Sequence, residues 1–236
     1  MIEGKRVLAV VPARGGSKGI KLKNLRLVAG RPMVALVGDV VAKVPEIDRA
    51  VVSTDHDEIA AVAEAAGLAA PFRRPVDISG DRIGDFDVLV HALRACEEID
   101  GRAYDIVVML QPTSPLRTPT NVSDTVRMLV AGGWDSVVTV SETDLKAHPL
   151  KQFVLDGEKL GFFDEKGRGV IARQELTPLY HRNGIAYAMT RDCLLEQKTI
   201  FGRKAGALVI PGHHVSIDTE WDIKLVEFVL AAGRTG

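Results

Sequence analysis

Arg6-Val7-Leu8-Ala9-Val10-Val11-Pro12 runs directly into Ala13-Arg14-Gly15-Gly16-Ser17-Lys18-Gly19, an apolar run opening into a glycine-rich basic loop. An apolar run without alternation marks a strand covered on both faces, the situation of a parallel sheet between two layers of helices. The rhythm continues outward. Ala50-Val51-Val52-Ser53-Thr54-Asp55 reads as a second strand, followed by a helix with Ile59, Val62, Ala63 and Ala66 on one face. Phe86, Leu89, Val90 and Leu93 mark another helix, and Asp105-Ile106-Val107-Val108-Met109-Leu110 a third strand. Val122, Val126, Leu129 and Val130 form a further helical stripe that Gly132-Gly133 closes, ahead of a fourth strand, Ser136-Val137-Val138-Thr139-Val140. Strands alternating with helices predict an α/β fold built on a mostly parallel sheet.

After about residue 141 the pattern changes. Lys151–Leu155 and Lys159–Phe163 flank Asp156-Gly157, a hairpin-turn signal. Residues 141–182 therefore read as an inserted antiparallel element within one domain spanning 1–236. The α/β character resumes at Gly184-Ile185-Ala186-Tyr187-Ala188-Met189. The chain ends in a helix from about Glu220, with Trp221, Leu225, Val226, Val229 and Leu230 expected to face inward.

Composition narrows the function classes. Thirty basic residues against 31 acidic ones leave a formal net charge of −1, so no global positive field exists to hold nucleic acid or an anionic membrane. Cys96 and Cys193 are the only cysteines, which excludes a disulfide framework and a paired-cysteine metal site. Both are expected to be buried in a reducing, cytoplasmic setting. No run of 18 apolar residues predicts a membrane span, and residues 1–6 carry no signal-peptide pattern.

Against that neutral balance, Arg14, Lys18, Lys21 and Lys23 crowd one loop with Gly15, Gly16 and Gly19. Glycines let backbone N–H groups turn towards an anion, and cations beside them favour polyphosphate. A loop leaving the carboxyl end of a strand is where open α/β sheets bind ligands. A solvated basic surface loop is the plain alternative. The order Ser17-Lys18-Gly19 does not match the Walker sequence, and Gly15-Gly16-Ser17-Lys18-Gly19 does not match the dinucleotide fingerprint.

Ala13-Arg14-Gly15-Gly16-Ser17-Lys18-Gly19 with Leu22-Lys23-Asn24 resembles the nucleotide loop of the acylneuraminate cytidylyltransferases. The resemblance extends in order through Arg74-Pro75, Gln111-Pro112-Thr113-Ser114-Pro115-Leu116-Arg117, His148-Pro149, Arg173-Gln174-Glu175-Leu176, Asn183-Gly184-Ile185-Ala186-Tyr187 and Ile217-Asp218-Thr219-Glu220. It implies a Rossmann-like sheet of the nucleotide-diphospho-sugar transferase type with an inserted dimerisation hairpin. The implied activity joins CMP from CTP to the anomeric hydroxyl of an acidic nine-carbon sugar and releases pyrophosphate.

The same resemblance distributes roles. Arg14, Lys18 and Lys23 would contact the triphosphate. Ala13, Gly15, Gly16, Asn24 and Arg74 would complete the nucleotide site, with Lys21 a solvated companion. Asp218 matches the family's Mg²⁺-binding aspartate; its alternative, helix capping, can be met by Thr219 with Asp222. Gln111, Asn183, Tyr187 and Phe201 fall where the family lines its sugar pocket, although core packing would also explain Tyr187 and Phe201, and a turn Gln111. Arg173 would capture a sugar carboxylate or a phosphate. In the family the matching arginine enters the neighbouring subunit's site, which implies a homodimer.

Two departures stand out. Ser216-Ile217-Asp218 replaces the common Asp-x-Asp, which leaves the number of metal ions open. Arg82, Ile83 and Gly84 stand where relatives that use N-acetylneuraminic acid carry small hydroxyl residues that meet the nucleotide, which leaves open how closely the nucleotide contacts follow the family and also allows a sugar such as legionaminic or pseudaminic acid. A related enzyme using GTP or another sugar, and a non-catalytic nucleotide- or sugar-binding relative, are the alternatives. His213-His214 suit a solvated role, since adjacent residues in extended chain point opposite ways.

Overall fold

A computed structural model describes residues 1–233. The strands are β1 (Val7–Pro12), β2 (Leu27–Val28), β3 (Arg31–Pro32), β4 (Arg49–Ser53), β5 (Ile106–Met109), β6 (Ser136–Glu142), β7 (Phe153–Asp156), β8 (Lys159–Phe162), β9 (Tyr180–Thr190) and β10 (Ala205–Val209). The helices are α1 (Met33–Val41), α2 (Asp57–Ala65), α3 (Asp85–Asp100), α4 (Pro119–Gly132), α5 (Arg191–Leu195) and α6 (Glu220–Ala232). Six strands form the central sheet in the order β10-β6-β9-β5-β1-β4, parallel except for β9, which runs antiparallel to both β5 and β6.

The apolar run of β1 explains the layering. Val7, Ala9 and Val11 point to one face, where Val34 and Val37 of α1, Ile59 and Ala63 of α2, and Val122, Val126 and Leu129 of α4 cover them. Leu8 and Val10 point to the other, against Leu89, Ala92, Leu93 and Cys96 of α3 and Cys193 and Leu194 of α5. Both cysteines are buried and free, and burial pushes each thiol up to about 11.

A third, smaller cluster joins Ile20, Val28, Met33, Ile217, Ile223 and Val226. It draws the loop after β1 and the entry to α6 together, and so positions the site. Here the expected face of the last helix needs correction. Trp221 is 69% and Leu225 37% exposed, while the buried positions are Ile223 and Val226, with Val229 and Leu230 half-buried. The apolar stripe of α6 is wider than the patch it packs on, and the small cluster covers only one edge of it.

The hairpin is present as β7 and β8. Asp156 pairs with Lys159, so the two-residue loop is Gly157-Glu158, one position later than the Asp156-Gly157 signal. The excursion from the sheet covers residues 143–179, between the end of β6 and the start of β9. None of the described helices is long and apolar enough to cross a membrane.

Candidate functional site

The sheet order contains a reversal. From β1 the chain moves to β4 on one side, then returns through α3 to β5 on the other. Loops leaving β1 and β5 diverge there, and a crevice opens at the carboxyl ends of the strands. The cleft at this place holds about 580 Å³. Its walls come from the loop after β1, the segment 74–88, the turn after β5 and the chain before α6.

Backbone contacts fix the loop after β1. Ala13 N–H donates to Ser53 O at 2.9 Å, Gly15 N–H to Asp55 Oδ1 at 2.8 Å, and Asn24 Nδ2 to Arg14 O at 3.0 Å. A Cβ on Gly19 would sit 2.8 Å from Asp218 O, so only glycine lets the loop approach the chain before α6 so closely. Lys23 Nζ spans that contact, donating to Ile217 O at 3.1 Å and to Asp218 Oδ1 at 2.9 Å. Two more of the loop cations, Arg14 and Lys18, meet Asp81 across the cleft. Arg14 Nη1 lies 2.5 Å from Asp81 Oδ1, and Lys18 Nζ lies 2.7 Å from Asp81 Oδ2. Those donors, Lys18 first and Arg14 second, hold the Asp81 carboxyl below its usual range.

Arg74 forms the floor. It is buried, donating from Nε to Ser53 Oγ at 3.1 Å and from Nη2 to Ser53 O at 2.5 Å. Burial pulls its guanidinium down to about 10, Arg14 adds to the pull, and Asp55 and Asp85 oppose it. Asp85, the first residue of α3, shows the reverse. Desolvation raises its carboxyl above the usual value, although Arg182 and Arg74 act against the rise.

At the exit of β5, Gln111 lines the cleft beside Pro112 and Thr113. Arg117 holds this turn to β9. It is buried, donating to Gln111 O at 2.7 Å, to Gly184 O at 2.9 Å and to Ile185 O, and burial pulls it down to about 9. Ile217 N–H donates to Thr113 O at 2.8 Å, which ties the chain carrying Asp218 to the same turn. The Asp218 carboxylate is 74% exposed. Thr219 and Asp222 form a capping box on α6, so the Asp218 side chain is not needed as a cap. Asp218 and Ser216 together present hard oxygens at the cleft, a donor set that suits Mg²⁺ shared with phosphate. Among the described residues no group of three or more His, Cys, Asp or Glu side chains gathers at metal-binding distance.

Arg14, Lys18, Lys23, Asn24, Arg74, Gln111 and Asp218 thus line one cleft. Ala13 is buried beneath it, and Gly15 and Gly16 form the bend of the loop. The remaining sugar-side candidates lie outside the lining. Asn183 is buried at the β6–β9 irregularity. Its Oδ1 accepts from Thr139 Oγ1 at 2.6 Å and Ile185 N at 3.2 Å, and its Nδ2 donates to Ser141 Oγ at 3.1 Å. Buried Tyr187 accepts Gly184 N–H on its hydroxyl at 2.9 Å. Phe201 is partly exposed, with the Arg182 guanidinium 5.4 Å from its ring centre. Arg173 is exposed on the short turn Arg173–Glu175.

The residues that sequence reading passed over are acidic: Asp55, Asp81 and Asp85. Nothing local in the sequence marks them, since the place of Asp55 and Asp81 opposite the loop is set by tertiary contacts at separations of 40 residues or more.

Comparisons with known proteins bear on the family and the fold. Residues 8–229 match the cytidylyltransferase family model. A CMP-N,N'-diacetyllegionaminic acid synthase from Legionella pneumophila is 31% identical over 94% of this chain and 95% of its own length. A pseudaminic acid cytidylyltransferase from Campylobacter jejuni is 28% identical over 94% and 95%. An N-acylneuraminate cytidylyltransferase from Escherichia coli is 27% identical over 93% of this chain and 51% of its own length. Among solved structures, CMP:2-keto-3-deoxy-manno-octonic acid synthetase complexed with CTP superposes with a TM-score of 0.71 at 19% identity, over 97% of this chain and 100% of that one. That likeness establishes the fold, and the match along nearly the whole chain establishes the lineage: the chain belongs to the cytidylyltransferase family of nucleotidyltransferases.

Proposed function

We propose that this chain is a cytoplasmic enzyme that joins CMP from CTP to the anomeric hydroxyl of a nonulosonic acid and releases pyrophosphate. The observation that carries the reading is the set of four cations, Arg14, Lys18, Lys23 and Arg74, turned onto one cleft at the sheet's switch point. In the reaction the sugar oxygen attacks the α-phosphorus and the bond to the pyrophosphate oxygen breaks. Negative charge gathers on the departing phosphates, and prepositioned cations lower that barrier without reorganising. Arg14 and Lys18 hold the phosphates from the loop, Lys23 from the side of α6, and Arg74 from the floor.

Asp218 would hold a Mg²⁺ ion; such an ion, when bound, screens the triphosphate and polarises a phosphoryl oxygen. Gln111 orients the sugar from the end of β5. The nonulosonic acid is of the legionaminic or pseudaminic kind. Ile78, Ile83 and Val88 give one wall of the cleft an apolar character suited to acyl and methyl groups, and Ile83 belongs to the segment that departs from neuraminic-acid users.

The working unit is a homodimer in which Arg173 serves the partner's cleft. Two features support this: Arg173 is exposed away from its own cleft, and Phe153, Val154, Leu155 and Leu160 of the β7–β8 hairpin are exposed. A lone two-stranded hairpin with uncovered apolar residues gains from a partner.

Pyrophosphate release with CTP, Mg²⁺ and a panel of neuraminic, legionaminic, pseudaminic and octulosonic acids tests the proposal. Release that depends on legionaminic or pseudaminic acid supports it, release with neuraminic acid alone overturns the sugar assignment, and release with octulosonic acid alone overturns the nonulosonic reading. Release with GTP alone, or with none of the panel, overturns it.

A further inference from the structure

The four cations of the cleft are not held alike. Arg74 is fixed by Ser53, and Lys23 by Ile217 O and Asp218. Arg14 and Lys18, among the described residues, share a single ion-pair partner, and that partner is Asp81. One carboxylate spends one oxygen on each cation, at 2.5 Å and 2.7 Å. Two negative oxygens on a common centre, set between an arginine and a lysine, reproduce the contact that a phosphate group makes with such a pair.

The carrier of this carboxylate is a surface turn. Asp81 lies in an exposed turn between Gly80 and Gly84, and the turn's own backbone bond, Ile83 N–H to Gly80 O, is long at 3.4 Å. Asp55 makes a useful contrast. It also faces the loop, but it takes the Gly15 N–H and so shapes the backbone.

We propose that Asp81 sets the affinity of the cleft for polyphosphate: its carboxylate stands between Arg14 and Lys18 in a phosphate's place and withdraws when the triphosphate arrives. The inference rests on the nucleotide reading above. A triphosphate brings more charge and more oxygens than one carboxylate, and arginine favours a two-point contact with phosphate, so the exchange runs towards the nucleotide. Small singly bound anions gain less from displacing Asp81. The clasp therefore raises the threshold for binding and favours polyphosphates over the inorganic phosphate of the cell.

The test is calorimetric titration of inorganic tripolyphosphate into the full-length protein, its Asp81→Asn variant and an Asp77→Asn control. Asp77 carries the same charge in the preceding turn, outside the cleft lining and without an ion pair to the loop. Asp81→Asn is expected to bind tripolyphosphate about three- to tenfold tighter at low salt, the range that two exposed ion pairs allow. The gain should shrink as salt is raised, and Asp77→Asn should leave binding unchanged. The KM for CTP should fall in parallel.

Binding by the wild type with equal or weaker binding by Asp81→Asn overturns the clasp and makes Asp81 a residue that positions the cations. Asp81→Ser carries the same comparison if the asparagine variant does not fold. Failure of the wild type to bind either tripolyphosphate or CTP removes the nucleotide reading itself, and the clasp with it.

Discussion

Gly184→Ala joins the fold to the site in one substitution. Gly184 has φ +71°, and a Cβ there would lie 2.5 Å from both Gln111 Oε1 and Ser114 Oγ. The left-handed backbone alone costs a non-glycine residue about 1–2 kcal/mol. The clash adds to it. Ser114 Oγ donates to Asn183 O at 2.8 Å, so moving it breaks a buried hydrogen bond, and crowding a packed interior costs about 1–3 kcal/mol. The total comes to about 2–5 kcal/mol. For a chain of this length that lowers Tm by roughly 4–20 °C. Gly101→Ala supplies the reference: φ is +61° there too, at the end of α3, but nothing lies within 4 Å of the added Cβ. It should lose only the backbone share.

Thermal unfolding followed by circular dichroism reads both variants. Steady-state kinetics on Gly184→Ala should also show a raised sugar KM, because the displaced Gln111 side chain faces the cleft. Equal Tm losses for the two variants would refute the clash, and unchanged sugar kinetics would refute the link through Gln111.

The other predictions are briefer. Asp218→Asn should lower turnover by about a hundredfold or more while leaving Tm nearly unchanged, since the side chain is exposed and α6 is capped by Thr219 and Asp222; Mg²⁺-dependent turnover at the wild-type rate would remove Asp218 from the mechanism. Arg173→Ala should raise the sugar KM about tenfold or more with CTP binding little changed, the loss of a charged hydrogen bond to the sugar acid; unaltered kinetics would leave it a surface arginine. Asp85→Asn should raise Tm at neutral pH. Desolvation lifts the Asp85 pKa above its ordinary 3.8, so the folded protein loses stability as pH rises from about that value through the folded pKa, and keeps the loss above it. The advantage of the asparagine should therefore vanish in acid, and pH-independent Tm differences would argue against the assignment.

Much of this was legible along the chain, for definite reasons. A strand buried on both faces has to be apolar throughout, so β1, β4, β5 and β6 announce themselves. The glycine-rich basic loop is local, and its position after β1 places it at the cleft. Other features left weaker traces. Met33–Val41 is a helix, yet Met33-Val34-Ala35-Leu36-Val37 is apolar on every side, so periodicity does not separate it from a strand. The orientation of β9 is invisible, because a strand between two neighbours reads the same whether parallel or antiparallel. Trp221 and Leu225 continue the apolar spacing of α6, but the cluster under the helix reaches only Ile223 and Val226.

The amino-acid sequence by itself determined the α/β class, the glycine-rich basic character of the loop after β1 and the cytidylyltransferase lineage. All three rest on short stretches whose meaning is carried by neighbours along the chain. Only the tertiary structure decided which charges meet. Asp81 lies 67 residues from Arg14, and Asp218 lies 195 from Lys23. Contacts at such separations are set by the sheet order and by the cluster that draws Ile20 to Ile217, and electrostatic partnership depends on distance through space, of which sequence spacing carries no record.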